Sequence, residues 1–186
     1  MNSEEIQNIS TLLEEGKTLL YPTDTVWGIG CDATDFNAIS KIYNIKQRAE
    51  SKSLIVLVDS LLMLQKYVKL IPEKAIEIIR KSIKPTTIIY QNPKGLAKNC
   101  SASDNTIAIR IVQSEFCKEL IHQFGKPIVS TSANVSGEPT PKSFAEISRT
   151  ILDSVDYVVN LQQEKITSTS SRILRITDEK VEVIRE

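Results

Sequence analysis

The chain has 186 residues, 41% of them hydrophobic, and its 23 Lys and Arg balance its 23 Asp and Glu. That length supports one hydrophobic core, so residues 1–186 are expected to form a single domain, and the composition is that of a globular chain and not a disordered or membrane one. The longest apolar run, Leu54 to Val58, is too short to cross a bilayer. Met1-Asn2-Ser3-Glu4-Glu5 lacks the basic and apolar regions of a signal peptide, so no membrane and a cytoplasmic location are expected.

In chain order, Ser3-Glu4-Glu5-Ile6 reads as a helix start, with Ile6, Ile9, Leu12 and Leu13 on one face and Gly16 as the stop. A strand is predicted at Thr18 to Tyr21, ended by Pro22. Asp35 is an N-cap for a helix whose Phe36, Ile39, Ile42 and Tyr43 recur at helical spacing up to Lys46. Ser53 to Val58, apolar and β-branched, has the pattern of a central strand covered on both faces. Helices are predicted near Ser60 to Tyr67 and Pro72 to Ser82, then strands at Thr86 to Tyr90 and Thr106 to Ile111.

Ser114 to Phe124 is a clear helix: Phe116, Cys117, Leu120, Ile121 and Phe124 make one stripe, closed by Gly125 and Pro127. A short strand at Pro127 to Ser130 leads into a polar loop from Thr131 to Pro141. A helix at Ser143 to Leu152 and strands near Tyr157, Ile173 and Val181 complete the chain. Strands alternating with helices indicate an α/β domain with a mixed twisted sheet. Neither G-x-G-x-x-G nor G-x-x-x-x-G-K-[ST] occurs, which excludes a dinucleotide-binding Rossmann domain and a P-loop NTPase.

Cys31, Cys100 and Cys117 are far apart, odd in number and without C-x-x-C, which argues against a disulfide framework. The single histidine, His122, lies within an amphipathic helix, so no His-based metal site is expected. Chemistry must rest on other groups. Lys46, Arg48 and Lys52 stand between a helix end and a buried strand, where long cations can converge on phosphates. On spacing alone, their commoner use is to complement the negative end of the helix. Ser130 to Gly137 brings hydroxyls and an amide to the carboxyl end of a strand, a usual ligand position in open sheets and also an ordinary turn composition. Tyr21-Pro22-Thr23-Asp24-Thr25 allows the same two readings. In the strand at 106–111, Thr106, Ala108 and Arg110 share a face, aiming Arg110 at a cleft or at solvent.

Taken together and in this order, Tyr21 to Gly30, Lys46-Gln47-Arg48, Lys52 to Val56, Lys84 to Ile89, Thr106 to Arg110 and Ser130 to Gly137 closely resemble the YrdC/TsaC family, the threonylcarbamoyl-AMP synthases, in its short bacterial form. The resemblance covers almost the whole chain. It implies a YrdC-like twisted open mixed sheet with flanking helices and a concave basic ligand surface. It also implies that L-threonine, bicarbonate or CO2, and ATP accompanied by Mg²⁺ yield threonylcarbamoyl-adenylate and pyrophosphate. The product serves N6-threonylcarbamoylation of tRNA adenosine 37 through a downstream tRNA threonylcarbamoyl transferase complex.

Carried over by position, Lys46, Arg48 and Lys52 are the catalytic basic set, and Arg48, Lys52, Thr106, Asn134 and Arg185 are ATP contacts. Thr23, Thr25, Arg110, Ser132 and Ser171 form the threonine set, and no metal is held by the protein itself. Three positions depart from the family pattern: Ala49 after Lys-x-Arg, Ser53, and Lys142, where a hydroxyl is usual. Thr169 to Ile173 also lacks the proline of the family's Pro-Ser-Thr-Ile segment. Two other readings compete with the synthase. One is a module that binds tRNA or double-stranded RNA by backbone contacts. The other is a relative with a different carbamoyl acceptor.

Overall fold

The computed structural model describes residues 1–49, 54–167, 169–177 and 180–186. Helix α1 (Ser3–Glu14) starts with a reciprocal capping box, Glu5 N donating to Asn2 Oδ1 and Asn2 N to Glu5 Oε2, both at 2.8 Å. Strands β1 (Leu19–Tyr21) and β2 (Gly28–Gly30) follow, then helix α2 (Phe36–Lys46), capped by Asp35 Oδ1, which accepts from Asn37 N and Ala38 N. Next come β3 (Ile55–Val58), α3 (Leu61–Tyr67), α4 (Glu73–Lys81), β4 (Thr86–Gln91), β5 (Thr106–Ile111), α5 (Glu115–Phe124) and β6 (Ile128–Ser132). A four-residue helix α6 (Arg149–Leu152) and strands β7 (Tyr157–Val158), β8 (Arg172–Ile176) and β9 (Val181–Arg185) end the chain.

The strands form one sheet in the order β7-β1-β2-β6-β3-β5-β4-β8-β9, with β3 at its middle as its apolar run predicts. β1/β7, β3/β5 and β4/β8 run parallel and the other neighbours antiparallel, so the sheet is mixed. Val56, Val58, Ile88, Tyr90, Ile107, Ile109, Val129 and Leu174 are buried on one face of its central part. Helices α1 and α5 pack on each other, and Ile6, Ile9 and Leu13 meet the core with Phe116, Leu120 and Ile121.

Three features differ from the sequence reading. Strand β2 is new; strand propensity hides it because two of its three residues are glycines. They are needed there: a Cβ on Gly30 would collide with Val129 O and lie 2.7 Å from Tyr21 Cε1. Strand β6 continues to Ser132, since Thr131 and Ser132 pair with Ile29 and Gly28, so the polar loop starts later than expected. The single helix expected over 143–152 is broken into a 3₁₀ turn at Phe144–Glu146 and α6. Ser148 leaves the helical backbone (φ −64°, ψ 149°), while Phe144 is held against Trp27 with ring centroids 5.0 Å apart and Ile147 is buried.

Candidate active site

Directly paired residues share a face of a sheet, and residues two apart along a strand return to it. The register Ser130↔Ile55↔Ala108↔Ile89, with Gly28↔Ser132, therefore lays six residues along one face, opposite the buried one. They form the floor of a cleft of about 360 Å³, within the usual range for small-molecule sites. The glycine keeps that floor low, since a Cβ on Gly28 would stand 2.8 Å from Ser130 Oγ.

Three arginines reach the cleft from separate parts of the chain, and no carboxylate lines it among the described residues. Arg48 follows the end of α2. Gln47 takes the left-handed conformation (φ 50°) there, with Arg48 N donating to Tyr43 O at 2.9 Å and Gln47 N to Asn44 O at 3.0 Å. This closes the helix and turns the chain sharply between Lys46 and Arg48. Burial lowers the pKa of the Arg48 guanidinium.

Arg110 lies on the cleft face of β5, its side chain only 3% exposed. Its Nη2 is 3.2 Å from Asp24 Oδ1, but Arg110 Nε and Asp24 Oδ1 have no hydrogen-bond partner among the described residues. The pair is thus an ion pair without full hydrogen bonding, and Arg110 keeps a buried donor for an anion.

Arg185 arrives through a β-bulge. Ile173 pairs with Arg185 and Leu174 with Val183, leaving Ile184 as the extra residue, and both Ile184 and Arg185 line the cleft. In a regular strand Arg185 would share the face of Val183; the bulge re-aims it. Its Nε and Nη2 donate to Ser171 O at 3.0 and 2.8 Å, and burial and then Arg110 lower its pKa.

The hydroxyls are equally ordered. Ser171, 1% exposed, shares a 2.9 Å hydrogen bond with Thr87 Oγ1. Thr23 Oγ1 donates to Val26 O at 2.7 Å and accepts from Thr25 N at 3.0 Å, with Thr25 Oγ1 2.9 Å away. Thr25, Ser132, Thr140, Ser170 and Ser171 line the cleft, whereas Thr23 stands behind Thr25. Lys142 is exposed, and the lining hydroxyl on its stretch is Thr140.

Of the residues named from sequence, Thr25, Arg48, Arg110, Ser132, Ser171 and Arg185 meet in the cleft. Thr106, at the start of β5, donates its hydroxyl to Asp104 Oδ1 at 2.6 Å and does not line the cleft. Asn134 lies just past β6, its Nδ2 donating to Val135 O at 3.1 Å and Glu138 O at 2.7 Å. Lys46 is buried beneath that loop: its Nζ donates to Ser132 O and Asn134 O at 2.5 and 2.6 Å, and burial and then Arg48 push its pKa down to about 8. Lys52 lies outside the described residues. Sequence reasoning gave no separate role to Asp24 and Gly28 within Tyr21 to Gly30, and missed Thr87 and Thr140; the visible trace of Thr87 is a hydroxyl inside an otherwise apolar strand.

The profile of the Sua5/YciO/YrdC family, described as telomere recombination, matches residues 11–186. The chain belongs to this family. A threonylcarbamoyl-AMP synthase of Pseudoalteromonas translucida is 36% identical over 153 residues, which are 81% of this chain and 82% of the relative. One from Photobacterium profundum is 32% identical over 147 residues, 77% of this chain and 80% of the relative.

Among solved structures of the Sua5/YciO/YrdC fold, that of P. abyssi Sua5 complexed with L-threonine superposes with a TM-score of 0.91 at 26% identity. The match covers 100% of this chain and 54% of the other, so the chain spans about half of that protein's length. E. coli YciO shares the fold, with a TM-score of 0.85 at 22% identity over 100% of this chain and 90% of its own. No helix among the described residues is long and apolar enough to cross a membrane.

Proposed function

We propose that this chain is an L-threonylcarbamoyl-AMP synthase, a nucleotidyltransferase working in the cleft floored by β2, β6, β3, β5 and β4. The observation that carries the reading is the convergence of Arg48, Arg110 and Arg185 on one cleft that no carboxylate lines among the described residues, in a chain of zero net charge. Such a site favours polyanionic and carboxylate ligands together. Arg110 takes the threonine carboxylate, with Thr25, Ser132 and Ser171 around the amino acid and Thr23 holding Thr25 in place. Arg48 and Arg185 take the phosphates, and Lys52, Thr106 and Asn134 are the remaining nucleotide contacts that the family pattern offers, Thr106 and Asn134 beyond the cleft lining itself. Mg²⁺ enters with the nucleotide as part of the substrate; among the described residues no carboxylate lines the cleft.

The threonine amine adds to CO2, forming a C–N bond and releasing a proton to water. A carbamate oxygen then attacks the α-phosphorus, forming a P–O bond, and pyrophosphate leaves with the electrons of the broken one. No nucleophilic side chain is needed; alignment and stabilisation of phosphate charge supply the rate. The product is a mixed anhydride, activated for transfer of its threonylcarbamoyl group to the N6 of a tRNA adenosine by a separate transferase.

Incubation with ATP, bicarbonate and L-threonine should give threonylcarbamoyl-adenylate, identified by mass spectrometry. Arg48→Ala should abolish turnover with little change in folding. A wild-type protein that forms no adenylate, or forms one lacking threonine, would sink the assignment.

A further inference from the structure

The turn at Gln47 sends the two cations of Lys46-Gln47-Arg48 different ways. Arg48 lines the cleft; Lys46 is 2% exposed, and a substrate cannot reach it without moving the loop above. Both hydrogen bonds of its ammonium go to backbone carbonyls two residues apart, Ser132 O and Asn134 O. A second tie joins the same segments, Ser136 N donating to Lys46 O at 2.8 Å.

The clamped loop joins the cleft floor to Asn134, which lies just outside the cleft lining. Ser132 lines it directly. Asn134 has its amide orientation set by its neighbours: Val135 O and Glu138 O are both acceptors, so the NH2 must face them. That leaves Oδ1 buried and, among the described residues, without a hydrogen-bond partner.

We propose that Lys46 is a positioning residue whose ammonium braces residues 132–134, setting Ser132 for threonine and Asn134 for the nucleotide at once. This rests on the synthase reading. A compact ammonium suits the task because its three N–H bonds rotate about the Cε–Nζ axis to meet two carbonyls from one nitrogen, whereas the donors of a guanidinium are fixed in one plane. Burying it costs solvation, as its lowered pKa records, and an apolar side chain would fill the same space more cheaply. The cost is repaid in the geometry of the site.

The test is calorimetric titration of Lys46→Met with L-threonine alone and with ATP alone. A brace predicts that both affinities fall, each by about 10- to 100-fold for the loss of charge-assisted hydrogen bonds. A lysine touching only the nucleotide predicts weaker ATP binding with threonine binding unchanged, and that result overturns the proposal. Lys46→Gln, which keeps an amide donor, should show a smaller parallel loss; if the Met variant fails to fold, the Gln variant decides by the same criterion. Wild-type protein that does not bind threonine refutes the synthase reading and this proposal with it. Wild-type binding with an unaffected variant refutes the brace alone.

Discussion

Arg110 and Asp24 form a buried ion pair, their side chains 3% and 7% exposed with Nη2 and Oδ1 3.2 Å apart. Arg110→Met would leave the Asp24 carboxylate buried with one donor among the described residues, Gln113 N at 3.2 Å. Removing one member of such a pair typically costs about 3–5 kcal/mol, near 10 °C in melting temperature for a domain of this size. Asp24→Asn in the same chain removes the stranded charge while keeping an oxygen for Gln113 N. The double variant should therefore regain most of the lost stability. It should not regain threonine binding, because the guanidinium is gone; a loss of about 10- to 100-fold in affinity is expected in both variants. Urea unfolding at neutral pH combined with threonine titration separates the two effects. If Arg110→Met lost less than about 1 kcal/mol, the burial of this pair would carry no energetic weight. If the double variant bound threonine as wild type does, Arg110 would not be the carboxylate anchor.

Burial raises all three thiols, Cys100 and Cys117 from near 9 to about 12 and Cys31 well above its ordinary value. The unfolded chain loses these protons above about pH 9 while the folded chain holds them. Their contribution is therefore complete below that pH and is lost as pH rises toward 12, at about 1.4 kcal/mol per pH unit per thiol. Cys117→Ala should flatten the alkaline slope in urea unfolding by that amount; an unchanged slope would show that this thiol already ionises in the fold. Gly30→Ala should destabilise by about 3 kcal/mol, because its Cβ would meet Val129 O and the Tyr21 ring and push β2 from β6. A wild-type melting temperature for this variant would contradict that strand approach.

The legible parts of the chain were those where one local signal dominated. The stripe Phe116, Cys117, Leu120, Ile121 and Phe124 and the run ending at Val58 owe their structures to burial of apolar faces; the first is found where its periodicity places it, the second where its continuous apolar run does, its expected start at Ser53 lying outside the described residues. β2 was invisible because its reason lies in Val129, a hundred residues away in sequence. The bulge at Ile184 depends on pairing with β8, which spacing within β9 does not encode. In the site, period-two alternation put Arg110 on one face with Ala108 but left cleft and solvent open; that the face is the cleft, and that Asp24 is the partner, follow from tertiary packing alone. Lys46 and Arg48 read alike as neighbouring cations at a helix end. Only the left-handed turn at Gln47 separates one, facing carbonyls, from the other, facing the cleft.

The most direct measurement is pyrophosphate release by the purified protein in an omission series. With ATP, Mg²⁺, bicarbonate and L-threonine all present, release should proceed steadily, and leaving out threonine or removing bicarbonate and dissolved CO2 should each stop it. Release that continues without threonine would contradict the synthase assignment. So would a complete mixture that releases none.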